Sequence, residues 1–217
     1  QDREVFRTAI RAIRDRVPEA IVQTSTGGAV GMTGEERAQP LELSPEFCSL
    51  TTGSVNFGDD CFINTFPLIK EIAAKAVAAG TRMEIEVFDA GFVDNALLLA
   101  KQGVLPTPLH FDFVLGVPGG MTGTDDRLDF LLTTIPADAT WTVAGIGRYE
   151  LPLAKASIAR GGHVRVGLED NIFVSKGVLA QGSWELVRTV AGLAAAAGRP
   201  IATPAQTREI LRIPFRL

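Results

Sequence analysis

Leu109-His-Phe-Asp-Phe-Val-Leu115 is an apolar run, rich in Phe, Leu and Val, that passes straight into Gly116-Val117-Pro118-Gly119-Gly120. A short apolar run bounded by Gly and Pro reads as a buried strand. A helical pattern, Thr124–Ile135, follows close behind. Five more runs repeat this arrangement: Ala20–Thr24, Phe47–Thr51, Arg82–Phe88, Thr140–Ala144 and His163–Leu168. Successive starts lie roughly 23 to 35 residues apart, the length of a βα unit. Apolar residues at i, i+3, i+4 and i+7 mark helices at Phe66–Ala79, Asp94–Lys101, Glu150–Arg160 and Ser183–Ala197. Asp2–Arg16 reads as a charged amphipathic helix, and Pro204–Leu211 as a short terminal helix with Thr203 as N-cap.

Alternating strands and helices argue for an α/β fold with a parallel sheet covered by helices. An open doubly wound sheet concentrates its functional loops at one switch point, whereas a barrel rings its whole C-terminal mouth with them. Here nearly every strand runs into a polar, glycine-rich loop: Ser25-Thr26-Gly27-Gly28, Thr52-Gly53-Ser54, Asp89-Ala90-Gly91, Gly116–Gly120, Gly145–Arg148 and Glu169-Asp170-Asn171. That distribution predicts a barrel. A full (βα)8 TIM barrel needs eight units in about 250 residues. With six strands, residues 1–217 are predicted to form one partial TIM-barrel domain. It would hold units 3–8, preceded by the helix of unit 2, and lack the first two strands.

Composition narrows the function classes. With 46% hydrophobic residues and balanced charge, disorder is excluded. The 21 basic and 25 acidic residues leave a net charge of −4, without a Lys/Arg run, which argues against nucleic-acid binding. No stretch approaches the ~18 apolar residues of a membrane span. Cys48 and Cys61 match neither a disulfide framework nor a zinc finger; both are expected to pack as small apolar residues, with a reducing cytoplasm as the expected location.

Several residues could carry chemistry. In His163-Val-Arg-Val-Gly-Leu-Glu169-Asp170-Asn171, period-2 alternation puts Arg165, Gly167 and Glu169 on one face and Val164, Val166 and Leu168 on the other. The aliphatic set suits the outer helices, so Arg165 and Glu169 are expected to point inward, Glu169 at the mouth. One reading is a buried Arg–Glu salt bridge. The other makes Arg165 a substrate-carboxylate anchor, because its fork can hold both oxygens, with Glu169 and Asp170 as metal ligand or acid/base. Glu84 and Glu86 likewise share a face; Glu84 could pair with a Lys or Arg, and Glu86, nearer the mouth, is the better active-site candidate. Ser25 to Gly28 could present hydroxyl and backbone N–H groups to an anion, with Thr51, Thr52 and Ser54 on the next loop. Gly116–Gly120 is either a close backbone approach to ligand or a tight turn. His110 and His163 are expected to be structural, and neither lies in His-x-His spacing.

Six segments together resemble a known family: Ser25–Gly28, Ser49–Phe57, Glu84–Asp89, His110–Gly120, Trp141–Arg148 and Gly162–Asn171. They are similar, in order and over essentially the whole chain, to the β-keto acid cleavage enzymes typified by the 3-keto-5-aminohexanoate cleavage enzyme. The resemblance implies a zinc-dependent (βα)8 barrel that condenses a β-keto acid with acetyl-CoA. Cleavage of the product then yields acetoacetate and a new CoA thioester, with no covalent enzyme intermediate. On the matching positions, Glu169 would ligate Zn2+, and Arg165, Asp170 and Glu86 would be catalytic. Ser25 and Gly28, with Thr51 or Thr52, would bind the keto acid. A homo-oligomer, a tetramer, is also implied. The family's His-x-His zinc pair is absent, and is expected in a segment ahead of Gln1. Two other readings stay open: a catalytically inactive truncated barrel subunit, and another barrel aldolase with a phosphate-binding mouth.

Overall fold

The computed structural model describes residues 2–213. Its main sheet contains six parallel strands: β1 (Gln23–Thr24), β2 (Phe47–Thr51), β5 (Arg82–Val87), β6 (His110–Leu115), β7 (Thr140–Gly145) and β8 (His163–Arg165), in that spatial order. All five neighbouring pairs are parallel, and chain order equals spatial order, as in a (βα) barrel. Two hairpins stand apart from this sheet, β3 (Val55–Phe57) with β4 (Asp60–Phe62), and β9 (Phe173–Ser175) with β10 (Val178–Leu179). The helices are α1 (Arg3–Arg16), α2 (Gly34–Ala38), α3 (Phe66–Ala78), α4 (Ala90–Lys101), α5 (Asp125–Leu132), α6 (Glu150–Arg160), α7 (Ser183–Ala196) and α8 (Pro204–Leu211).

Local chemistry explains the boundaries. Asp2 caps α1 by accepting the Glu4 N–H, and Thr203 with Gln206 forms a reciprocal capping box on α8 behind Pro204. α6 stops at Gly161, whose φ of 85° favours a residue without a side chain. The predicted strands hold to within a residue or two except at both ends of the sheet. Ala20–Thr24 shortens to Gln23–Thr24, and His163–Leu168 stops at Arg165.

The two faces of the sheet differ in chemistry. Leu50, Ile85, Val87, Phe111, Phe113 and Val143 point to the helix side and are almost wholly buried. Against them pack Ile69 and Ile72 of α3, Val93 and Leu99 of α4, Leu128 and Leu131 of α5 and Leu153 of α6. The opposite face carries Ser49 and Thr51, Glu84 and Glu86, His110 and Asp112, Thr142, and Arg165. In a flat sheet β5 and β8 would stand about 14 Å apart, three strand spacings. Arg165 Nη1 nevertheless donates to Glu86 Oε1 at 3.3 Å, so the sheet curls around its polar face. Among the described residues β8 pairs only with β7, and beside it opens a cleft of about 900 Å³.

The base of the fold is tied by a buried ion pair. Arg208 of α8 donates through Nε and Nη2 to Glu46 Oε1 at 2.9 and 2.7 Å, while Glu46 Oε2 accepts the Val22 N–H at 3.2 Å. Arg208 also reaches the Glu19 carbonyl, so one guanidinium joins α8 to the entries of β1 and β2. Removing one partner of such a pair strands the other charge. Glu46→Ala is expected to destabilise the fold by about 3–5 kcal/mol, read from urea unfolding with an unchanged m-value.

Candidate active site

The polar face gathers its charge around Arg165, which ends β8. Nη1 donates to Asp112 Oδ2 at 2.9 Å and to Glu86 Oε1 at 3.3 Å. Nε and Nη2 form a two-pronged pair with Asp170, at 3.2 and 3.1 Å. These bonds occupy four of the five N–H groups of a guanidinium. The Nη2 atom also has Glu169 Oε1 as a neighbour at 3.8 Å. The fork that could have held a substrate carboxylate therefore already holds Asp170.

The predicted inward position of Glu169 is corrected: its side chain is 86% exposed. The strand alternation ends at Arg165, and a turn follows in which the Asp170 and Asn171 N–H groups both reach the Gly167 carbonyl. Buried Glu150 anchors that turn, accepting the Gly167 N–H at 3.2 Å and the Asn171 Nδ2 at 2.9 Å. The turn swings Asp170 back onto Arg165 and sends Glu169 to solvent. Residues beyond a strand's end no longer obey its parity.

Glu86 takes its orientation from two sides, accepting from Arg165 and from Thr51 Oγ1 at 2.8 Å. Thr52 turns the other way, donating to the Phe92 carbonyl of α4 at 2.8 Å, fully buried. Of the two threonines, only Thr51 joins the Arg165 network. Ser25 is exposed and its Oγ accepts the Gly27 N–H at 3.0 Å, while Thr26 Oγ1 donates to the Ser49 carbonyl at 2.6 Å. The Ser25–Gly28 loop thus lies against the β2 end of the same mouth. Gly116–Gly120 is a packing turn: the Gly116 N–H reaches the Met121 carbonyl, and a Cβ on Gly119 would stand 2.5 Å from the Asn56 carbonyl oxygen.

Asp112 is a site residue that the sequence reading passes over. It is fully buried under Arg165, and its Oδ1 has no hydrogen-bond partner. The parity it shares with Glu86, its register partner, is the signal that could have found it. One layer below, Glu84 accepts from Gln23 Nε2 at 2.6 Å and lies 3.1 Å from His110 Nε2. Its partner is thus a histidine rather than the Lys or Arg considered from sequence. His110 Nδ1 lies 2.8 Å from Thr140 Oγ1, and the His163 ring stands 6.1 Å away. Both histidines belong to this lower layer.

The electrostatics follow from burial. Burial pushes Glu86 and Asp170 above the ordinary carboxylate range, with Arg165 opposing. Asp112 is pushed up strongly, by burial and then by Glu84. Burial disfavours the Arg165 charge, yet Asp112, Asp170 and Glu86 together hold its pKa above the usual value. Among the described residues no group of three or more His, Cys, Asp or Glu could hold a metal ion.

A family profile described as beta-keto acid cleavage enzyme matches residues 1–213. The chain belongs to that family. It is 50% identical over 214 residues to the 3-keto-5-aminohexanoate cleavage enzyme of Fusobacterium nucleatum, covering 98% of this chain and 78% of that one. It is 41% identical over 212 residues to the 3-oxoadipate:acetyl-CoA acetyltransferase of Cupriavidus necator, covering 96% and 74%. Among solved structures, the apo structure of ObcA superposes with a TM-score of 0.80 at 20% identity. That match covers 98% of this chain and 55% of ObcA, and speaks for the fold alone.

A pH test follows from the lower layer. Burial, then His110, brings the His163 pKa down to about 4. As pH falls from about 6.5 to about 4, the unfolded chain takes up a proton that folded His163 refuses, so stability is lost in that window. His163→Asn removes this term. The stability of wild type relative to the variant is expected to drop between pH 7 and pH 4.5, measured by urea unfolding at both.

Proposed function

We propose that this chain is the catalytic part of an acyltransferase that condenses a β-keto acid with acetyl-CoA and splits the product into acetoacetate and a new CoA thioester. The observation that carries this reading is the Asp170–Arg165–Glu86 network at the C-terminal mouth of the sheet, in a chain of the beta-keto acid cleavage family. The names of the two curated relatives, a keto acid cleavage enzyme and an acetyl-CoA acetyltransferase, support the same reaction class.

In this reading Asp170 takes a proton from the carbon between the keto and carboxylate groups. A carboxylate whose pKa burial has raised is a stronger base than a solvated one. Arg165 grips Asp170 at both oxygens and so fixes its direction of approach. Once Asp170 is protonated, the guanidinium loses its partner's charge and is free to stabilise negative charge developing on the substrate oxygen. Glu86 and Asp112 hold Nη1 while this happens, and Thr51 holds Glu86. The enolate then attacks the acetyl-CoA thioester carbonyl and expels the CoA thiolate as the new C–C bond forms. The thiolate adds to the original keto carbon, and the bond from that carbon to the central carbon breaks to give the new CoA thioester. The carbanion left behind takes the proton back from Asp170 to become acetoacetate. Ser25 and Gly28 lie on the loop proposed to bind the keto acid.

The zinc implied by the family resemblance finds one proposed donor here, Glu169. A catalytic zinc site commonly has three protein ligands. The described residues supply no such group, so this donor set alone does not fit zinc and no step above runs through it.

The assay supplies a β-keto acid and acetyl-CoA and follows acetoacetate and the new acyl-CoA by mass spectrometry. Asp170→Asn should lower kcat by roughly 10²–10⁴-fold, the usual worth of a positioned base. A variant as active as wild type overturns the assignment. The threonines should separate by kcat: Thr51→Val strips Glu86 Oε2 of its hydroxyl donor, lowering kcat and costing about 1–3 kcal/mol of stability. Thr52→Val costs about 1 kcal/mol of stability, because the Phe92 carbonyl of α4 loses its hydroxyl donor, and leaves kcat near wild type.

A further inference from the structure

A second guanidinium is buried at the mouth, on the side away from Arg165. Arg37, on the short helix α2, is 2% exposed. Nε donates to the Thr26 carbonyl at 2.8 Å, Nη1 to the Ile63 carbonyl at 3.2 Å, and Nη2 to Asn64 Oδ1 at 2.7 Å. The Phe62 ring covers it, with its centroid 4.8 Å from Cζ. Every one of these partners is neutral. Burial disfavours its charge, and the carboxylate that favours it is Glu86. A buried cation is costly unless an anion compensates it.

Its position gives that cost a use. Arg37 lies directly beneath the Ser25–Gly28 loop, where a Cβ on Gly28 would stand 3.1 Å from its Cγ. Through Asn64 it also reaches the loop after β2, since Asn64 Nδ2 donates to the Gly53 carbonyl and its N–H to Ser54 Oγ. The opposite wall is acidic: Glu86, Asp112 and Asp170 surround Arg165, whose fork is taken. An anionic substrate entering this mouth meets repulsion on one wall and a buried positive charge behind the other.

We propose that Arg37 is the positioning residue and counter-charge for the carboxylate of a β-keto acid seated on the Ser25–Gly28 loop. This rests on the keto acid reading above and adds the residue that selects for charge. Arg37 holds the loop through the Thr26 carbonyl and supplies the positive potential through it, without touching the reacting atoms. The ligand carboxylate in turn gives Arg37 an anion on the loop side, where its direct hydrogen-bond partners are all neutral.

The test compares acetoacetate with its uncharged methyl ester, both titrated calorimetrically into the folded protein. Wild type should prefer the anion. Arg37→Gln should reduce that preference roughly tenfold, with affinity for the ester little changed. Arg37→Lys, which keeps the charge, should retain most of the preference. A merely structural role would weaken both ligands alike. Because Arg37→Gln could fail to fold, the Arg37 Nε resonance of wild type provides a second measurement: it should shift with acetoacetate and not with the ester. An unchanged preference in Arg37→Gln, or an unmoved resonance with acetoacetate bound, overturns the role of Arg37 alone. Failure of wild type to bind acetoacetate overturns the keto acid reading and this proposal together.

Discussion

Arg165 is a largely buried cation held by carboxylates from three parts of the chain: Glu86 on β5, Asp112 on β6 and Asp170 in the turn after β8. Taking a guanidinium out of water is favourable only where opposing charges and hydrogen bonds surround it. That requirement reaches far into the fold. The sheet must curl so that β5 comes within reach of β8, Thr51 must orient Glu86, and Glu150 must hold the turn that returns Asp170. Loosening any one of these would leave a buried charge unmatched.

The interior is organised in layers along the strands. At the lower level Glu84, His110 and Gln23 satisfy one another, and His163 sits beside them. At the upper level Glu86, Asp112, Asp170 and Arg165 form the reactive cluster. Two residues separate the layers on β5 and on β6, because side chains return to the same face with period 2. The helix-facing side of the same strands is apolar throughout, so one sheet carries the stability on one face and the chemistry on the other.

Much of this was legible without coordinates. Phe47–Thr51 and Glu150–Arg160 match their sequence readings residue for residue, since β-branched and aromatic runs, helical periodicity and glycine stops are local signals. Period-2 alternation puts Glu84, Glu86 and Arg165 on the polar face, as in the structure. The two hairpins were not legible, because their three- or two-residue strands are half exposed and show no alternation. Parity fails for Glu169 because its strand ends at Arg165. Asp112 shows only the parity it shares with Glu86, and Arg37 no local signal, because the partners of each lie far away in sequence.

The sequence by itself determined the alternation of strands and helices, the polar and apolar faces of each strand, and the family, because these depend on residues close together in the chain. Only the tertiary structure decided which carboxylate Arg165 grips, which of Thr51 and Thr52 joins the network, and that Glu169 faces solvent. Those outcomes depend on the curl of the sheet and on a turn pinned by Glu150. Both are set by contacts between residues distant in sequence, so local pattern carries no record of them.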